Sequence, residues 1–237
     1  LALADAHQAG LTLHADAAFI DAWRALLTDP ALDAPYRARA LALPSEKTLA
    51  EGMQQVDPPA LAVARDFLRA ELGRQLQAEF RRAFDENQTP GEYSPAPIPA
   101  GMRALKNLAL SHLMAAGEPE AQRLAEQQYA NAGNMTDSMA ALTALINFGQ
   151  GDFPQQALAA FYTKWSENPL VVDKWFALQA AARSTTVQTA RELMKHPAFT
   201  LRNPNRARAL IFQFCLNNAR GTHHPHGSGY AFWAEQV

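Results

Sequence analysis

The sequence has little of what a β-sheet or a nucleic-acid-binding surface requires. Its 237 residues include only 6 valines and 4 isoleucines, against 48 alanines. Because β-branched residues favour strands and alanine is the best helix former, this balance predicts an all-α protein. Lysine and arginine together number 21 and aspartate and glutamate 23, which gives a formal net charge of −2. Nucleic-acid binders show a clustered basic excess, so we expect no nucleic-acid partner.

Cysteine and long apolar stretches are also scarce. The single cysteine, Cys215, excludes an internal disulfide and a zinc cluster held by several thiolates. It lies in the apolar run 210–216, which predicts a buried, unreactive thiol. No stretch approaches the roughly 18 uninterrupted apolar residues of a membrane helix, so we expect no membrane association.

Both ends of the sequence indicate a piece of a longer polypeptide. The chain does not begin with methionine, and it ends in the apolar, helix-like run 231–237 without a helix stop signal. We therefore expect a fold that is truncated at its C-terminal end and a function that depends on the missing parts.

Apolar spacing and helix start signals predict several helices in the first part of the chain. Apolar side chains at helical spacing predict a helix from Asp16 to Thr28. Two short helices follow, one around 35–43 and one that Ser45 is placed to cap.

A longer helix is predicted after Asp57, because the two prolines that follow it suit a first helical turn. Helical spacing continues for about seven turns, to near Asn87. Gly73 interrupts this pattern and marks either a bend or a close contact with another helix.

The segment 89–101 is rich in proline and glycine, which predicts a loop. It is the best candidate for a boundary between an N-terminal helical part, 1–88, and a helical-repeat part, 102–237. It is equally compatible with a surface loop inside one continuous array, and we expect one structural domain overall.

The second half of the sequence contains a repeat of about 34 residues. Short helices are predicted to begin near 117–119, 151–154 and 183–185, and partner helices begin at Asn134, Asn168 and Asn203. A helix pair that recurs at this interval is typical of an α-solenoid, in which each pair buries its face against its neighbours. We therefore expect stacked antiparallel helix pairs in a HEAT- or armadillo-like superhelix.

Aromatic side chains at helical spacing occur in two successive repeat helices. They are Phe161, Tyr162, Trp165, Trp175 and Phe176. A packed core between stacked helices explains this pattern without any ligand.

The sequence contains no phosphate-binding loop, no nucleophile elbow and no His-Glu-x-x-His zinc helix. His223, His224 and His226 invite a metal-binding interpretation, but Pro225 and Gly227 place them in a flexible loop. Solvated loop histidines are the preferred interpretation, and a metal-binding module is a minor alternative.

Two arginines follow a predicted helix start at Asn203. Arg206 and Arg208 would lie in the first turn, where the helix dipole already presents positive charge. They would form a concentrated site for a carboxylate or phosphate, or they would pair with acids such as Asp173 on the neighbouring repeat. The residues alone leave both alternatives open.

Five motifs in this order carry a resemblance to a known family. They are Leu43-Pro44-Ser45-Glu46, Asn134-Met135-Thr136-Asp137, Val172-Asp173-Lys174-Trp175-Phe176, Asn203-Pro204-Asn205-Arg206-Ala207-Arg208 and Gly227-Ser228-Gly229-Tyr230. From about residue 15 to its end, the chain resembles the C-terminal helical domain of bacterial aminopeptidase N, a zinc-dependent alanyl aminopeptidase. His226 departs from the pattern, which has aspartate before the last motif.

The resemblance implies a cap domain that encloses the active-site cavity of a cytoplasmic peptidase and contacts the C-terminal side of peptide substrates. The partner would be the upstream catalytic domain of the same polypeptide, which would hold the zinc and the catalytic residues. This chain would bind no metal and would be inactive alone. The substrate-proximal residues implied are Arg208 first, then Arg206, with Asn203 and Lys174.

A second hypothesis is a stand-alone helical-repeat scaffold that binds a protein partner. The repeat period alone supports both hypotheses equally, and the ordered motifs favour the cap domain.

Overall fold

The computed structural model describes residues 1–236 and, within them, contains helices and no strand. The chain divides into two compact units, residues 1–150 and 151–237, and the Pro-rich segment lies inside the first. The predicted all-α class is confirmed. Within the described residues, no helix combines the length and the apolar character that crossing a membrane requires.

Several helices of the first unit begin at start signals that the sequence carries. Its helices are α1 (Ala2–Gln8), α2 (Ala17–Thr28), α3 (Ala34–Ala40), α4 (Glu46–Ala50), α5 (Pro58–Gln75), α6 (Gln77–Glu86), α7 (Pro97–Ala116), α8 (Pro119–Asn131) and α9 (Met135–Phe148). Asp16, Ser45 and Asp57 cap α2, α4 and α5, and each accepts a hydrogen bond from a backbone N–H of the first turn.

Three features of the first unit differ from the prediction. The long helix after Asp57 is two helices, because the backbone leaves helical geometry at Leu76, where φ is −119° and ψ is 29°. Helix α7 begins at Pro97, so the last five residues of the predicted loop 89–101 are helical. Proline is tolerated there because the N–H groups of a first turn have no partner inside the helix. Helix α1 had not been predicted.

Helix α7 is the centre of the first unit, and it packs against α3, α5, α6, α8 and α9. It approaches α5 closely at Gly73, where a Cβ atom would lie 2.1 Å from the backbone oxygen of His112. Of the two predicted roles of Gly73, the structure shows the close helix contact, and the break comes three residues later.

His112 is buried in this contact and lies against aromatic rings. Its ring is stacked on Phe80 at a centroid distance of 4.6 Å and lies 5.3 Å from Trp23. Its Nδ1 donates a hydrogen bond to the backbone oxygen of Leu108, at 3.0 Å. Burial, offset in part by this hydrogen bond, lowers the pKa of His112 from 6.5 to about 4.

The buried imidazole makes stability depend on pH. Below pH 6.5 the unfolded chain takes up a proton that folded His112 does not, so acid favours unfolding until the folded pKa is reached. We expect the free energy of unfolding to fall by about 2 kcal/mol between pH 7 and pH 5 from this residue. Urea unfolding of the wild type and His112→Phe, which keeps a ring but cannot titrate, measures the effect. His224→Gln is the exposed control, and equal pH slopes in wild type and His112→Phe would contradict the prediction.

The second unit continues the helix pairs. Its elements are α10 (Phe153–Trp165), α11 (Pro169–Ala180), α12 (Val187–Met194), α13 (Pro204–Ala207), a π-helical segment (Arg208–Phe212), α14 (Gln213–Asn217), α15 (Ala219–Thr222) and α16 (Ser228–Glu235). The three predicted asparagine caps are confirmed, since Asn134, Asn168 and Asn203 cap α9, α11 and α13. Helix α12 begins at Val187, slightly after the predicted 183–185, so α8, α10 and α12 begin at residues 119, 153 and 187.

The aromatic core predicted for this unit is confirmed for its main members. Phe161, Trp175 and Phe176 are buried. The indole N–H of Trp175, on α11, donates to the backbone oxygen of Leu158, on α10, at 3.1 Å. Tyr162 and Trp165 are half-buried.

Cys215 is buried in α14, as predicted. Loss of hydration raises the pKa of its thiol from 9.0 to about 11. The thiolate, which is the reactive form, is therefore scarce at neutral pH.

Candidate functional site

The predicted site begins at Asn203, just before α13. Its side-chain oxygen accepts hydrogen bonds from the backbone N–H groups of Asn205, at 3.0 Å, and Arg206, at 3.3 Å. Pro204 occupies the first helical position and has no N–H to offer. Asn203 therefore caps the helix and satisfies donors that a bound anion would otherwise use.

Arg206 is buried and fully engaged inside the second unit. Its Nε donates to the carboxylate of Asp173, its Nη1 to the backbone oxygen of Ala198 and its Nη2 to that of Pro169. The guanidinium also lies 5.1 Å from the ring centroid of Phe176. The sequence left open an anion site or an ion pair with Asp173, and Arg206 forms the ion pair.

This engagement removes Arg206 from a two-arginine anion site. A buried charge is tolerated when it is paired and hydrogen-bonded, and here every polar edge of the guanidinium meets an acceptor. The Arg206–Asp173 pair joins α13 to α11, which carries the motif 172–176.

Arg208 and Lys174 are placed differently, because both are exposed. Within residues 1–236, neither side chain has a hydrogen-bond or ion-pair partner. Arg208 is the first residue of the π-helical segment, which packs against the helix that carries Lys174, α11. Two adjacent elements thus each present an uncommitted positive charge to solvent.

The histidine cluster does not form a metal site in the described chain. The Nδ1 of His223 lies 2.6 Å from the hydroxyl oxygen of Tyr230, and the rings of His224 and His226 are 5.0 Å apart. Residues 1–236 contain no group of three or more His, Cys, Asp or Glu side chains placed to hold a metal ion. The metal-binding alternative therefore gains no support from the geometry.

The first unit contains a buried ion pair that the sequence analysis does not predict. The Nζ of Lys106, on α7, lies 2.7 Å from the Oδ2 of Asp137, and their side chains are 4% and 6% exposed. Asn107 and Asn134 also donate to the carboxylate of Asp137. Burial raises the pKa of Asp137, but the hydrogen bonds from Lys106, Asn134 and Asn107 lower it more, so the net shift is downward.

Two signals in the sequence point to this pair. Lys106 lies on the apolar face of α7, and a lysine on a buried face is expected to have a charged partner. Asp137 lies in the first turn of α9, where a carboxylate is favoured by the helix dipole and by free N–H groups. Their separation of 31 residues hides the partnership until the chain is folded.

The sequence profile of the family described as "Domain of unknown function (DUF3458_C) ARM repeats" matches residues 1–237. An ARM-repeat description agrees with the predicted all-α solenoid.

Similar proteins include two named aminopeptidase N. The one from Caulobacter vibrioides is 38% identical over 222 residues, which are 92% of this chain and 25% of that protein. The one from Escherichia coli is 36% identical over 232 residues, which are 98% of this chain and 26% of that protein. The chain therefore spans about a quarter of the length of these relatives.

A solved structure with the same fold is that of Legionella pneumophila aminopeptidase A in complex with aspartic acid. It is 28% identical, with a TM-score of 0.85, over 99% of this chain and 28% of that protein. The resemblance noted in the sequence is thus confirmed by sequence and by structure.

Proposed function

This chain belongs to the DUF3458_C family of ARM repeats, and on that premise we propose that it is the C-terminal cap of a zinc-dependent aminopeptidase. The observation that carries the proposal is the match to aminopeptidase N over nearly the whole chain and only a quarter of the relatives' length. The remaining three quarters would supply the catalytic domain as the partner of this chain. The cap would enclose the active-site cavity and restrict it to peptides.

The residues that the structure describes do not fit a zinc site. The sequence has no His-Glu-x-x-His motif, and the described part has no three-ligand group. We assign metal binding and bond cleavage to the rest of the polypeptide, and peptide positioning to this chain.

Arg208 is the proposed contact for the carboxylate at the C-terminal end of a peptide. Its guanidinium is exposed and is not neutralised by a carboxylate within the described chain. A planar guanidinium binds a carboxylate through parallel hydrogen bonds, and such bonds are among the strong ones. Lys174 would add a second positive charge. Arg206 and Asn203 would act indirectly, because their polar groups hold α13 in place.

Arg208→Ala, in the full-length polypeptide that contains this chain, is expected to raise KM for peptides about tenfold, with a smaller effect on kcat. The reason is that a peptide loses its carboxylate contact, whereas the bond-breaking groups are untouched. Alanyl-p-nitroanilide and C-terminally amidated peptides lack that carboxylate, so their KM should be unchanged. Steady-state kinetics on the three substrates measure the difference.

Arg202→Ala is the matched control, since Arg202 is an exposed arginine just before α13. It should leave all three KM values unchanged. An equal rise in KM for peptides and carboxylate-free substrates would refute the carboxylate contact. The 237-residue chain alone should not hydrolyse any of them, and hydrolysis by that chain would refute the cap role. A full-length polypeptide without activity would favour the scaffold hypothesis.

A further inference from the structure

The first unit contains a cavity of about 590 Å³ that the proposed function does not use. Its walls come from the end of α6, the segment 88–93, α7, α8 and the start of α9. Six charged side chains line it, namely Arg81, Asp85, Glu92, Arg103, Lys106 and Asp137.

Four of these charges are already paired. Arg81 lies 2.8 Å from Asp85, and Lys106 lies 2.7 Å from Asp137. Arg103 and Glu92 remain, and neither has an ion-pair partner within residues 1–236.

Arg103 is an unusual wall residue because it is 3% exposed and still lacks a carboxylate partner. Its Nη2 donates to the backbone oxygen of Ser94 at 2.7 Å, and its guanidinium lies 4.7 Å from the ring centroid of Tyr93. Its Nε has no acceptor among the described residues. A buried cation with unused donors is costly, and a carboxylate that enters from the cavity would neutralise it.

Glu92 gives the cavity a second, opposite charge. It precedes Tyr93, whose ring covers Arg103, and it is exposed, so it lies at the open side of the cavity. The cavity thus presents an unpaired cation on its buried wall and an unpaired carboxylate at its edge.

The wall also contains an unused acceptor. The Oε1 of Gln128 is buried and accepts no hydrogen bond within the described chain. Its Nε2 is held by Asn107 and by the backbone oxygen of Asp137, at 2.8 and 3.0 Å. Asn107 follows Arg103 by four residues, about one helical turn, on α7, so Gln128 contacts α7 one turn after Arg103.

We propose that this cavity binds a small zwitterion, of the class that includes free amino acids and dipeptides. Arg103 receives the carboxylate and Glu92 receives the ammonium group, and the Gln128 side chain turns toward the cavity so that its Oε1 accepts from an N–H of the ligand. A volume of about 590 Å³ is large enough for a dipeptide.

The test is an NMR titration of the 237-residue chain with three matched probes, with the backbone amides of Glu92 and Tyr93 as reporters. Diglycine carries both charges, N-acetyldiglycine only the carboxylate, and diglycinamide only the ammonium group. We expect saturable shifts with diglycine at millimolar concentration, and at least about tenfold weaker binding of each blocked probe.

Glu92→Gln is the decisive variant, because Glu92 is exposed and its replacement should leave the fold intact. It should weaken the binding of diglycine about tenfold, to the affinity of N-acetyldiglycine. The affinity for N-acetyldiglycine should be unchanged. Glu167→Gln, at an exposed position in the second unit, is the control and should change nothing. Arg103→Met should abolish binding of both carboxylates.

Three outcomes would overturn the proposal. The first is the absence of saturable shifts at residues 92 and 93. The second is a Glu92→Gln variant that binds diglycine as the wild type does. The third is binding to the isolated chain but not to the full-length polypeptide, which would show that a carboxylate from the rest of the polypeptide fills the cavity.

Discussion

Asp137→Asn is expected to lower the free energy of unfolding by about 3–5 kcal/mol. The substitution keeps the shape of the side chain but leaves the ammonium group of Lys106 buried without a counter-charge. Both side chains are less than a tenth exposed, so contact with solvent compensates little for the lost counter-charge. Urea unfolding at neutral pH measures the loss.

The double-mutant cycle separates the pair from its surroundings. Lys106→Met alone should lower the free energy of unfolding by less than Asp137→Asn does. The reason is that Asn107 and Asn134 still donate to the carboxylate of Asp137. Lys106→Met with Asp137→Leu should recover part of the stability, since apolar groups of similar size replace a buried pair at little cost. Strict additivity of the two single effects would contradict this account.

The control is an ion pair on the surface. Glu120 lies 2.5 Å from Arg123, but their side chains are 48% and 64% exposed. Solvent screens such a pair, so Glu120→Gln should leave the free energy of unfolding close to that of the wild type. The Glu120–Arg123 contact is shorter than the Lys106–Asp137 contact, so a larger loss at Asp137 would be due to burial and not to distance.

Local chemistry explains which parts of the fold were predictable. A cap of Asp, Ser or Asn satisfies its own helix within three residues, so α5, α11 and α13 could be located from sequence alone. The recurrence of asparagine caps at residues 134, 168 and 203 also indicated the helix-pair period. Proline was misread at Pro97, because the same residue ends one helix and suits the first turn of another.

Features that depend on distant residues were not predictable. The break at Leu76 involves neither proline nor glycine, and its side chain is completely buried, so tertiary packing fixes it. The choice between an anion site and an ion pair at Arg206 depended on Asp173, 33 residues away. Arg208 is two residues further along and is exposed, and only the folded chain separates the two arginines.

Gly73→Ala is the second large effect, with an expected loss of about 3 kcal/mol or more in the free energy of unfolding. At an exposed helix position, alanine would gain about 1 kcal/mol over glycine. Here the new Cβ would lie 2.1 Å from the backbone oxygen of His112 and 2.9 Å from the Cβ of Ala116. Helices α5 and α7 must move apart, which disturbs the contacts at the centre of the first unit. Thermal and urea unfolding measure the change.

The cause of this loss can be tested with a second substitution. The nearer clash is with a backbone atom, so Ala116→Gly, which relieves only the farther contact, should not rescue Gly73→Ala. Gly133→Ala is the control, because a Cβ there meets nothing within 4 Å and the backbone needs no positive φ. It should change stability by less than about 0.5 kcal/mol. If Gly73→Ala were as stable as the wild type, the two helices could separate freely, and Gly73 would not be what sets their distance.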